Sequence, residues 1–289
     1  MFAALPRLAL TLLIIAALVG LVVAVPRRPT EPRRDAAWLA GTWLVPTDEV
    51  DVYARSLRRV RAHRRAGGWI GIAFAVVAGI AWGGQVTFGI ATHGPLADVL
   101  FCGVAGVLVG ALSAETYRLT LPRAGASASA SLAPRPELPG RRQVVAARVL
   151  AGASVVVGAA TAATGHGTVT LFTALLVVVL VLVCAATRAS VAHRRRPALL
   201  DRALVVDGNL RAFAARTVAW LELTAGTLAA TWAVSALGSL GWLPDVPAAV
   251  LSLGTLVTAV VFLVKASPRP PRRFAWSDPA PLAGTVPIA

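Results

Sequence analysis

Glu222 has the strongest claim to chemistry in this chain. It is a lone acid inside an apolar stretch running from about Thr217 to Gly238. Hydrocarbon cannot solvate a carboxylate, so such a group must face protein, water or a cation. Glu222 lies six residues past Arg216, about 9 Å along a helix. Arg148, near the start of another apolar stretch, sits at a comparable depth and is the expected partner. A pair of this kind can be structural and hold two helices in register. Alternatively, its acid can gain and lose a proton and so couple protons to transport. Arg211 and Arg216 are rival partners that would hold Glu222 as a snorkelling surface acid. Gln85, with Thr87 nearby, completes the candidate binding residues, since an amide at that depth can bond a neighbouring helix or a substrate.

The remaining polar groups make weaker patterns. Glu115 and Arg118 are three apart, the spacing of an ordinary helical ion pair. Asp98, Asp245, His93, His166 and Arg7 gather near the opposite ends of the apolar stretches, but two His and two Asp at these spacings match no metal-ligand pattern. Cys102 and Cys184, the only cysteines, fall at different depths of separate apolar stretches, which rules out a disulfide framework. No Gly-rich loop ends in Gly-Lys-Ser/Thr, and neither His-Glu-x-x-His nor Gly-x-Ser-x-Gly occurs. The expectation is a chain with no catalytic residue, no metal and no cofactor: not an enzyme.

The elements that must position Glu222 and Arg148 follow from composition. Of 289 residues, 57% are apolar and 14% charged. A soluble domain carries about a quarter charged residues, so this chain has too little polar surface to cover a water-soluble globule. An all-α, polytopic integral membrane protein is expected. Spanning hydrocarbon takes about 20 apolar residues in a helix, and seven stretches qualify: about 8–25, 68–91, 96–115, 146–165, 168–187, 217–238 and 246–265.

Charge then sets orientation. Ten arginines separate the first two stretches, six lie between the third and fourth counting Arg148 at the start of the fourth, and seven separate the fifth and sixth, with Lys265 closing the last and three arginines after it. Only Arg7 lies elsewhere. Basic residues are retained on the cytoplasmic side, which places the N-terminus outside and the C-terminus inside the inner membrane. The first stretch is read as a retained anchor rather than a cleaved leader, because its arginine cluster follows the apolar run, with Arg7 alone before it. The dominance of Arg over Lys, with abundant Ala and Val, points to a GC-rich bacterial genome.

The organisation read from this pattern is one anchor helix (1–26) and three helical hairpins (68–115, 146–187 and 217–265). They are joined by inner segments at 27–67, 116–145 and 188–216 and followed by a Pro-rich, unanchored tail (266–289). Residues 122–140 are an Ala/Ser/Pro linker. Within the first inner segment, Val50, Tyr53, Leu57 and Val60 recur on one helical face, predicting an amphipathic helix over 48–65. That helix either lies on the membrane surface or packs beneath the bundle, with a bend at Gly67–Gly68 leading into the second stretch. Small residues four apart (Gly67, Gly71, Ala75, Gly79 and Gly83; Gly106 and Gly110; Ala225, Ala229 and Ala233) predict that the second, third and sixth stretches are central and the first and fifth peripheral.

Two roles fit. The first is a non-enzymatic structural or accessory component of a bacterial membrane. Its basic inner segments would meet lipids, among them anionic headgroups, a protein partner or a second copy of the chain. The second is a transporter or channel subunit using Glu222. Nucleic acid is not an expected partner, because the basic segments lack interleaved aromatics and topology already accounts for their charge.

Overall fold

A computed structural model describes residues 31–81, 95–116, 139–165, 169–193 and 201–270. Among them are seven α-helices and no strand: α1 (Pro32–Ala40), α2 (Thr47–Ala81), α3 (Pro95–Thr116), α4 (Arg141–Ala163), α5 (Val169–His193), α6 (Asp201–Ser239) and α7 (Asp245–Lys265). The local sequence explains the boundaries. Pro32 opens α1, where its missing N–H is not needed, and Gly41 closes it at φ 68°, a left-handed conformation that favours glycine. Asp48 and Glu49 occupy the first turn of α2, at the positive end of its dipole. Gly140, at φ 93°, turns the chain into α4.

Four helical segments are long and apolar enough to cross a membrane: Asp98–Glu115, Arg141–Ala163, Thr170–Ala192 and Asp245–Lys265. The structure therefore supports four of the seven expected spans. The first stretch lies outside the described residues. The second is described only as far as Ala81, inside α2. The sixth forms the second half of α6, which is too polar to be counted with the four. Its polarity is internal: Glu222, Thr224, Thr227, Thr231 and Ser235 are all buried against neighbouring helices. α6 is the hub of the fold and packs against α4, α5 and α7, with smaller contacts to α3 and α1. The main apolar core lies around it, built from Leu108 and Leu112 of α3, Val177 and Val181 of α5, Leu221 and Leu228 of α6 and Leu256 of α7.

The hairpins are antiparallel pairs, and charge is segregated along them. Arg61 of α2 reaches Pro268 after α7, Arg188 of α5 reaches Pro139 before α4, and Tyr53 of α2 meets Asn209 of α6. These contacts bring together the start of α2, α4 and α6 and the end of α5 and α7, and every described Arg and Lys belongs to that end. Asp98 and Asp245 open the helices that start from the other end.

Two packing expectations are corrected. α2 continues through Gly67 and Gly68 without ending, so no separate surface helix bends into the second stretch. The glycines serve close approach instead. A Cβ on Gly67 would collide with the backbone of Gly106 and Gly110 of α3, and one on Gly71 with the Cys102 carbonyl. Among the described residues nothing comes near a Cβ at Gly79, so the close approach is seen over the first half of the stripe, and Gly83 lies outside the described residues. α2 is also peripheral rather than central. It packs mainly on α3, and Ile70, Phe74, Val77 and Ile80 form an exposed outer face. α5 sits at the edge as expected, exposing Phe172, Leu176, Val179 and Leu182. The apolar face of 48–65 is buried in protein: Val50 and Tyr53 pack with Ala36 of α1 and Val206 of α6.

Candidate functional site

Arg148 and Glu222 meet because two backbones come close. Gly226, one turn after Glu222, faces the backbone of Ala147, where a Cβ would come within 2.7 Å of the Ala147 carbonyl oxygen. The next residue on α4 is Arg148, and its Nε lies 3.4 Å from Glu222 Oε1. The Glu222 side chain is 0% exposed and that of Arg148 58% exposed. The pair thus links the hub of the bundle to its outer surface. Glu222 Oε2 is buried and accepts no hydrogen bond from the described residues. Arg188 of α5 lies within electrostatic reach of both Glu222 and Arg148, and its Nη2 donates to the Pro139 carbonyl at 2.9 Å. Two guanidinium groups therefore address one carboxylate at the corner where α4, α5 and α6 meet.

Of the rival partners, Arg216 is exposed and Arg211 is engaged on its own helix. Arg211 Nε donates to Asp207, one turn earlier on α6, at 2.6 Å. Glu115 is buried at the end of α3, whereas Arg118 lies outside the described residues. So does Gln85, with His93 and His166. No group of three or more His, Cys, Asp or Glu that could hold a metal occurs among the described residues. Cys102 and Cys184 are both buried and free.

Below Glu222, α6 carries a ladder of threonines. Thr224, Thr227 and Thr231 return their hydroxyl hydrogens to carbonyls one turn back, at Trp220, Leu223 and Thr227. Thr231 and Thr255 Oγ1 also lie 2.9 Å apart across α6 and α7. Satisfying each hydroxyl within its own helix lets α6 bury polar side chains without leaving donors unmet. Trp220 packs on Phe262, and Lys265 Nζ sits 4.9 Å above the Trp220 ring.

A second polar centre escaped the sequence reading. Arg61 is buried on the inner face of α2. Its Nη1 donates to Asp35 Oδ2 of α1 at 2.7 Å, and its Nε and Nη2 both donate to the Pro268 carbonyl, at 2.9 and 2.7 Å. Arg64 donates through Nη1 to the Ala266 carbonyl and through Nη2 to that of Leu263, each at 2.7 Å. Burial, and to a lesser degree the neighbouring charge of Arg269, lowers Arg64 to about 10, so it remains a cation at neutral pH. Arg64 thus caps carbonyls at the end of α7, which lack intrahelical donors, and Arg61 holds the Pro268 carbonyl just beyond it. The expected free tail is thus corrected at its start: residues up to Pro268 are held against α2. The signal was present in the spacing, because Arg61 and Arg64 continue the face of Val50, Tyr53 and Leu57 at steps of four and three.

No family profile, curated protein or solved structure matches this chain.

Proposed function

We propose that the chain is a multi-pass protein of a bacterial inner membrane, with its basic end in the cytoplasm, acting as a non-enzymatic structural or accessory component. The observation that carries this reading is the Arg148–Glu222 contact. An acid at the centre of the hub helix is matched to a cation on its neighbour, next to a backbone approach that admits only glycine. That is how a polar pair fixes the register of two helices. The threonine ladder of α6 and the Arg61 and Arg64 contacts support the same role, since each spends its hydrogen bonds on joining helices. A second copy of the chain or another membrane protein would bind along the exposed outer faces of α2 or α5.

One observation favours a second reading, a proton-linked transporter or channel subunit: Glu222 Oε2 is buried without a hydrogen bond and could carry a proton. Reconstitution into sealed vesicles with an imposed pH gradient separates the two. The structural reading expects no Glu222-dependent proton flux and a less stable Arg148→Gln protein. Proton flux that disappears in Glu222→Gln would overturn it in favour of transport.

A further inference from the structure

The outer face of α4 carries charge at one end only. Arg141 and Arg142 open the helix and are exposed, and Arg148 follows two turns later on the same side. Val145, Val149 and Val156 share this face and are also exposed. Helix side chains tilt toward the N-terminus, so the long Arg148 chain brings its guanidinium back toward the level of Arg141 and Arg142. Only its Nε engages Glu222, and neither Nη makes a hydrogen bond to the described residues. Arg188 stands beside it, fixed on the Pro139 carbonyl. The first turn of α4 contains no acid. Glu222, the one carboxylate that Arg148 meets, is fully buried. Among the described residues, this corner of α4 therefore turns Arg141, Arg142 and Arg148 outward with no exposed acid in its first turn, at the foot of a face that is otherwise apolar.

This combination fits an amphiphile with an anionic head and hydrocarbon tails. A small free anion would answer the charge but leave the valines uncovered. An acidic protein segment would need apolar side chains matched to a face that already runs into the span. We infer that Arg141, Arg142 and Arg148 of α4, beside Arg188 of α5, bind the phosphate headgroup of an anionic phospholipid whose acyl chains lie over Val145, Val149 and Val156. The inference rests on the membrane reading above and is independent of whether Glu222 moves protons.

Native mass spectrometry of the full chain in detergent tests it, with phosphatidylglycerol or phosphatidylcholine added. The wild type should retain phosphatidylglycerol in preference. A juxtamembrane arginine contributes about fivefold in affinity for anionic lipid. Arg141→Gln with Arg142→Gln should therefore weaken phosphatidylglycerol retention by about thirtyfold and leave phosphatidylcholine unchanged. Arg141→Gln alone, expected to weaken it about fivefold, serves if the double variant does not fold. Arg55→Gln with Arg58→Gln, on the exposed face of α2 away from the corner, should change nothing. Equal retention of the two lipids by wild type would overturn the site, as would undiminished retention in the Arg141 and Arg142 variants. An equal loss in the α2 variant would replace a site with diffuse charge. Displacement by excess inorganic phosphate would replace the lipid with a free anion. Failure of the membrane reading itself would look different: the chain would stay in solution without detergent.

Discussion

Gly226 of α6 lies against the backbone of Ala147 of α4, and this approach places Arg148 beside Glu222. The contact and the ion pair are one structural unit. Gly226→Ala would put a methyl 2.7 Å from the Ala147 carbonyl oxygen and 3.0 Å from its Cα, so the helices must separate. Overpacking of this kind destabilises by about 1–3 kcal/mol. Unfolding by SDS in mixed micelles should shift by that amount. A Gly226→Ala protein as stable as wild type would show that α4 and α6 are not held at this point.

The ion pair itself is asymmetric, which predicts the order of its variants. Arg148→Gln takes from the buried carboxylate its hydrogen-bonded cation and leaves it only the field of Arg188, whereas Glu222→Gln leaves an arginine that already faces outward. Removing one partner of a buried pair costs about 3–5 kcal/mol, and the half-exposed guanidinium reduces this to roughly 1–3 kcal/mol. Arg148→Gln should be the less stable single variant, and adding Glu222→Gln to it should recover most of the loss. A double-mutant cycle measured by the same unfolding assay checks this. Additive losses would mean that the two side chains do not interact.

The sequence and the structure agree where burial and polarity oppose each other strongly. Glu222 was legible because an acid in an apolar run has few stable surroundings, and Arg148 because depth along a helix can be counted. The peripheral place of α5 was legible in its run of Leu and Val. What pattern could not supply was which of many glycines makes a contact. Gly67, Gly71 and Gly79 share one spacing, yet only the first two meet a neighbouring backbone, because contact depends on where α3 crosses. Gly226 has no glycine partner to mark it. The same holds for Arg61. Positive charge near a span has a topological meaning that hides a local one, and Asp35 and Pro268 lie 26 and 207 residues away in sequence.

The Arg61 centre predicts a variant with a local signature. Arg61→Met keeps the bulk but removes three hydrogen bonds, leaving Asp35 buried without its cation and the Pro268 carbonyl without a donor. A loss of about 3–5 kcal/mol follows, concentrated where α1 and the end of α7 dock on α2. Hydrogen exchange should accelerate over residues 263–268 and 32–40 before it does in α4 or α5. Arg61→Lys should not rescue it, because one ammonium lacks the planar fork that serves Asp35 and Pro268 together. Uniform acceleration through the bundle would mean that the centre stabilises the whole fold rather than this joint.

Tyr53 gives a pH dependence whose sign can be worked out. It is 1% exposed, and Asn209 Nδ2 donates to its hydroxyl oxygen at 3.2 Å. Burial raises its pKa above the ordinary 10, partly offset by the Asn209 hydrogen bond, with the charge of Glu49 adding a smaller increase. Folding therefore favours the neutral phenol. The folded chain holds the proton at pH values where the unfolded chain has released it, so stability falls with rising pH in that window. The contribution is fully present below pH 10 and is lost as pH rises through the folded-state value. Stability of the wild type should show an alkaline decline that Tyr53→Phe lacks, and hydrogen exchange in the α1, α2 and α6 contact should accelerate first. If both proteins lost stability identically with pH, the buried phenol would not be its source.

Orientation provides the broadest prediction. All described basic residues occupy one end of the antiparallel hairpins, and exporting them would violate the retention of Arg and Lys in the cytoplasm. A single cysteine introduced at Ser127, between the third and fourth apolar stretches, with Cys102 and Cys184 replaced by Ser, should resist an impermeant thiol reagent in sealed spheroplasts. It should react once they are opened. A cysteine at Trp242, in the turn between α6 and α7, should react in sealed spheroplasts. The opposite labelling pattern would invert the protein. Labelling of both sites in sealed cells would break the hairpin topology, because α6 and its neighbours could not then separate the two ends.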